Sequence, residues 1–61
     1  MTARAITMEE NALLRARPDP AAQAVGLALK GDALPAAKRP AVNGYVPVRY
    51  RGGVAWVRAK G

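Results

Sequence analysis

Two adjacent glycines, Gly52 and Gly53, split residues 45–59 into two short extended runs, and no other feature constrains the chain as strongly. Valine populates both runs, with two tyrosines in the first and the tryptophan in the second, and a Gly-Gly dipeptide between such runs is a hairpin signal. A two-residue turn on that dipeptide sets Arg51 opposite Val54. Counting outward pairs Tyr50 with Ala55, Arg49 with Trp56, Val48 with Val57, Pro47 with Arg58 and Val46 with Ala59. Side chains alternate between the two faces of a strand, so each face can be read off. One face carries Val46, Val48, Tyr50, Ala55, Val57 and Ala59 and is apolar throughout. The other carries Tyr45, Arg49, Arg51, Val54, Trp56 and Arg58, a mainly cationic and aromatic set.

A lone hairpin is marginal in water, so the apolar face needs a cover from the rest of the chain. The first half offers two helix signals. Residues 7–10 match a capping box, with the Thr7 hydroxyl on the Glu10 N–H and the Glu10 carboxylate reaching back. Pro18 cannot continue a helix begun there, which predicts one over residues 8–17. Asp19 and Pro20 form a second start, and Ala21, Ala24, Val25, Ala28 and Leu29 follow the helical i, i+3, i+4 template. Gly31 supplies a left-handed stop, so the second helix spans residues 20–30. Within it Ala22 and Gly26 are four apart and read as a packing accommodation. Residues 31–44 contain Pro35 and Pro40 and read as a linker, with room for one helical turn over residues 33–37. Asn43-Gly44 is a turn dipeptide that delivers the chain into the hairpin. Residues 1–6 show no periodicity and read as an extended arm that includes Arg4 and Ile6. The expectation is an α+β fold in the order α-α-β-β, a single small domain over residues 7–61 with its helices on one side of a two-stranded ribbon.

Composition bounds what such a unit can do. Fourteen of the 61 residues are alanine and none is phenylalanine, so the core is thin. With no cysteine, disulfides cannot reinforce it, and without histidine the usual zinc sites are out of reach. A small, thinly packed domain of this kind is expected to complete itself on a partner. Neither Ser, His nor Cys occurs, so the common nucleophile–base pairs cannot be assembled. The four carboxylates, Glu9, Glu10, Asp19 and Asp32, are assigned to helix starts. No phosphate-cradling motif is present. The expectation is therefore a protein that is not an enzyme, with no cofactor, metal or small-molecule substrate.

The hairpin resembles the closing pair of strands in bacterial SH3-type domains, with Tyr45-Val-Pro-Val-Arg-Tyr50 before the turn and Ala55-Trp56-Val57 after it. The likeness covers about a quarter of the chain, the helical first half departs from that fold, and no function is carried across.

The formal net charge is +6, which suits nucleic acid, an acidic protein surface or anionic lipid. No apolar run is long enough for a bilayer span, and no secretory signal is visible at the N-terminus. The cationic and aromatic face of the hairpin is the candidate site: Tyr45, Arg49, Arg51, Trp56 and Arg58, with Lys38 and Arg39 as additional basic contacts. Trp, Tyr and Arg are the residues enriched at protein–protein hot spots. They also stack bases and neutralise phosphates. A third reading has Trp56 buried under a neighbouring segment and the arginines simply solvated. The leading expectation is a non-catalytic interaction protein that docks on a larger assembly. The Ala, Arg, Gly and Pro bias suits a bacteriophage, and with it a virion accessory or structural subunit or a phage-encoded inhibitor. The alternative is a basic nucleic-acid-binding module using the Arg/Trp face. The expected location is intracellular or virion-associated.

Overall fold

In the computed structural model, which describes residues 4–58, six strands follow one another: β1 (Ala5–Thr7), β2 (Ala12–Arg15), β3 (Ala24–Ala28), β4 (Ala33–Pro35), β5 (Tyr45–Tyr50) and β6 (Gly53–Arg58). This overturns the α+β expectation. Among the described residues there is no helix, and hence none long and apolar enough to cross a membrane. Strand β2 stands where the helix over residues 8–17 was expected, and β3 where that over residues 20–30 was expected. The expected helical turn over residues 33–37 is β4 and the start of its continuation. Ala5 and Ile6 of the expected arm form part of β1, while Met1 to Ala3 lie outside the described residues, as does Ala59 of the hairpin.

The strands form a two-stranded sheet, β1-β4, and a four-stranded antiparallel sheet in the order β3-β2-β6-β5. A bridge from Ala36 to Val48 links β4 to β5, supported by a bond from the Ala37 N–H to the Pro47 carbonyl at 3.0 Å. The two sheets also share one long ribbon. Ile6 pairs with Leu34 and Thr7 with Ala33 in one sheet, and Leu13 pairs with Leu27 and Leu14 with Gly26 in the other. The stretches Thr7 to Leu14 and Gly26 to Ala33 contain the same number of residues, so register is kept across the break. Within the break, the Met8 N–H donates to the Asp32 carbonyl and the Gly31 N–H to the Met8 carbonyl, both at 2.8 Å. Asn11 Oδ1 accepts the Lys30 N–H at 2.7 Å. These bonds satisfy backbone groups that the kink would otherwise leave unpaired.

Side-chain parity follows the ribbon. Ile6, Met8, Ala12 and Leu14 point inward on one arm, and Ala28 and Leu34 on the other. With Val48, Ala55 and Val57 they surround one core, in which Leu14, Val48 and Val57 are fully buried. Val46 and Tyr50 pack against its edge. The five described residues of the hairpin's expected apolar face thus all meet the core.

The helix signals are physically present but serve turns. Asp19 Oδ1 accepts the Ala21 N–H at 2.9 Å and its carbonyl accepts the Ala22 N–H at 3.0 Å, a side-chain-closed turn that no helix continues. Gly31 has the expected positive φ, 91°, at the third position of a turn in which the Asp32 N–H donates to the Leu29 carbonyl. That position in a type II turn calls for glycine. The competing local helices were short and rich in alanine, too brief to stand alone, whereas strand pairing buries the hairpin's apolar face. Gly26 has its own reason to lack a side chain. A Cβ built there would lie 2.7 Å from Cζ of the Tyr50 ring, so the residue permits this close approach.

Candidate functional site

Strands β5 and β6 pair Tyr45 with Arg58, Val46 with Val57, Pro47 with Trp56, Val48 with Ala55, Arg49 with Val54 and Tyr50 with Gly53. The turn is therefore Arg51-Gly52, with φ of 49° and 77°, not Gly52-Gly53. Both central residues are left-handed, as a type I′ hairpin requires. The expected pairings are each displaced by two positions, which leaves every residue on its expected face but changes its neighbour. Arg49 consequently faces Val54 rather than Trp56, and the arginine–aromatic contacts are different ones. The Arg58 guanidinium sits 5.7 Å from the Tyr45 ring centre, and that of Arg51 sits 5.4 Å from the Tyr50 ring centre.

The candidate residues do not form one exposed patch. Arg49, Arg51 and Arg58 are exposed, but Tyr45 and Trp56 are buried, 3% and 9% accessible. The loop over residues 16–23 is tied down by two side-chain hydrogen bonds, one from Arg15 and one from Asn43. Arg15 pairs with Trp56 across β2 and β6, so the two side chains share a face. Its Nη1 donates to the Ala22 carbonyl at 2.9 Å, and Ala22 is itself buried. Asn43 Nδ2 donates to the Pro18 carbonyl at 3.2 Å and ties down the other part of the loop. Arg15 and Asn43, neither singled out from the sequence, thus hold a cover over the aromatic pair.

Two other surfaces stand out. The first is a groove of about 720 Å³ between β1, residues 36–41 and the β5–β6 hairpin. Its cations are Arg4, Lys38, Arg39 and Arg49, and among the described residues no carboxylate lines it. The floor is aliphatic: Ile6, Ala36, Ala37, Val46, Pro47 and Val54 contribute, and no aromatic ring does. Arg39 and Arg49 also line an adjoining depression that reaches Gly52 and Gly53 at the hairpin tip. Of the sequence-derived set, the fold therefore gathers Lys38, Arg39 and Arg49, leaves Arg51 and Arg58 elsewhere, and adds Arg4. All four groove cations are exposed.

The second surface is apolar. Leu13, Val25, Leu27 and Leu29 are 42–56% accessible. Leu13 and Leu27 are directly paired, Leu29 follows just past the end of β3, and Val25 stands at the bulge where Leu14 pairs with Gly26 and Arg15 with Ala24, so the four make up an exposed apolar strip along this edge. Strand β3 ends the four-stranded sheet and pairs only with β2 among the described residues. Its sequence, Ala24 to Ala28, contains neither charge nor proline. The signal for this strip was available, since Val25, Leu27 and Leu29 also fit a period of two.

No protein-family model, curated protein or solved structure matches the chain.

Proposed function

We propose that this chain is a non-catalytic docking protein, an accessory subunit that attaches to a larger protein assembly through β3 and the adjoining β2. The observation that carries the reading is the apolar strip of Leu13, Val25, Leu27 and Leu29 on a sheet edge. Edge strands in soluble proteins are commonly blunted by lysine, proline or a bulge, because an open edge recruits further strands. Strand β3 has neither lysine nor proline among Ala24 to Ala28; its one irregularity is the bulge at Val25, and large apolar side chains stand exposed beside it. A strand added to this edge would gain main-chain hydrogen bonds, with the leucines supplying the apolar contact. The burial of Tyr45 and Trp56 favours a protein partner over the nucleic-acid alternative, since stacking on bases needs exposed rings.

Nuclease-treated extract of the native host, passed over the immobilised protein, provides the test. The wild-type chain is expected to retain a discrete protein partner, and Leu27→Asp to lose it while keeping its near-ultraviolet dichroism. Retention indifferent to Leu27→Asp, or retention seen only when the nuclease treatment is omitted, would overturn the reading.

A further inference from the structure

We propose that the groove bounded by Arg4, Lys38, Arg39 and Arg49 is a second binding site, which takes an extended acidic peptide segment with an aliphatic anchor. This site is distinct from the β3 strip, and either can be lost without the other.

Charge and chemistry select the ligand. Four of the chain's cationic side chains converge on one groove, with no carboxylate among the described residues that line it to neutralise them. They enter from three parts of the chain: Arg4 beside β1, Lys38 and Arg39 after β4, and Arg49 on β5. A ligand with carboxylates on both sides of a short apolar centre would therefore meet cations from more than one direction. Guanidinium groups bind carboxylates in a bidentate fork, so three arginines set orientation as well as charge.

The floor decides between a peptide and a polynucleotide. Single-stranded nucleic acid is held by cations together with aromatic platforms for its bases. Here Tyr45 and Trp56 are buried, and the groove is lined by Ala, Ile, Val and Pro side chains. Such a surface accommodates a valine or leucine, and offers a base no ring to stack on. An extended peptide rises ~3.3 Å per residue, so about six to ten residues would cross the molecule, whose extents are 34, 23 and 22 Å. Acidic-motif recognition by clustered arginines is an established physical mode of peptide binding.

The test uses dye-labelled peptides of about ten residues and fluorescence anisotropy at low and physiological ionic strength. One peptide places Asp and Glu on both sides of a central Leu-Val, one replaces the acids by Asn and Gln, and one is all Glu. Oligothymidylate of similar contour length is the polynucleotide probe. The mixed acidic peptide is expected to bind at least about fivefold more tightly than all-Glu, because the aliphatic floor contributes. Arg39→Ala combined with Arg49→Ala is expected to weaken it about tenfold or more. Arg51→Ala with Arg58→Ala removes the same charge outside the groove and should change affinity less than about twofold. Equal losses in the two double variants would show that net charge alone acts, and would overturn the site. Tighter binding of oligothymidylate than of any peptide, or equal binding of all-Glu and mixed peptides, would likewise overturn the assigned ligand. Amide shifts on titrating wild-type protein provide a check independent of any variant. They are expected at Ala36, Ala37, Val46 and Val54, and shifts confined to β2 and β3 would refute the groove.

Discussion

Replacing Gly26 by alanine tests whether the contact between β3 and Tyr50 organises this core. The added methyl would lie 2.7 Å from Cζ and 3.2 Å from Cε2 of the Tyr50 ring. Carbon atoms prefer about 3.5–4.0 Å, so the ring must retreat by roughly 1 Å. Tyr50 is partly buried and packs at the edge of a cluster that contains Val48, Ala55 and Val57, so its retreat disturbs those contacts. Overpacking of this kind costs about 1–3 kcal/mol. Loss of glycine's unfolded-state freedom returns about 0.4–1 kcal/mol. A net loss of about 1–2 kcal/mol results, which for so small a domain lowers Tm by about 5–15 °C. Thermal and urea unfolding, followed by circular dichroism, would measure it. Tyr50→Leu, which removes the obstructing end of the ring, is the companion variant. In the double variant the alanine methyl no longer meets an obstacle, so its combined cost should fall short of the sum of the single costs by about 1 kcal/mol. A stabilising Gly26→Ala, or additivity within about 0.5 kcal/mol, would refute the argument that the ring excludes a side chain there.

Three further outcomes are expected. Arg51→Asn should stabilise the protein by about 0.5–1 kcal/mol in urea unfolding, because a non-glycine residue pays for left-handed geometry and asparagine tolerates it; Asn43-Gly44, with φ of 53° and 79°, already makes such a turn in this chain. Arg15→Met removes the bond to the Ala22 carbonyl, so Trp56 emission should shift to the red and acrylamide quenching should rise, at a cost of about 1 kcal/mol in stability. Val48→Thr places a hydroxyl at a fully buried position, and a loss of about 1–3 kcal/mol is expected in the same unfolding assay.

The sequence exposed some of this architecture more readily than the rest, for physical reasons. Val46, Val48, Tyr50, Ala55 and Val57 were legible as one face because period-two alternation survives any even displacement of register. The neighbour of Arg49 was not legible, since two adjacent turns, Gly52-Gly53 and Arg51-Gly52, were both available. Asp19 and Gly31 announced their local geometry correctly, a side-chain-capped turn and a left-handed residue. Those same features begin and end helices, so they do not name the element they belong to. Alanines at positions 24 and 28 added to the ambiguity because a spacing of four fits either period. Lys38, Arg39 and Arg49 were visible as charges, whereas Arg4 joins them only through the pairing of β1 with β4. The cover over Trp56 depends on Arg15 reaching Ala22, a contact between a strand and a loop that no spacing rule anticipates.

The unbroken register between β1/β4 and β2/β3 makes the intervening kink a joint that transmits parity. A residue inserted in one arm between Thr7 and Ala12 would send Ala12 and Leu14 to the solvent side while Ile6 stayed inside. A bulge could absorb the extra residue only by giving up bonds such as that from Lys30 to Asn11. The number of residues in this joint is thus under tighter mechanical control than the character of its exposed side chains. Apart from Met8, Asn11 and Gly31, sequence drift can proceed there by substitution, but changes of length must arrive in compensating steps, so the kink behaves as a gear tooth rather than a loop.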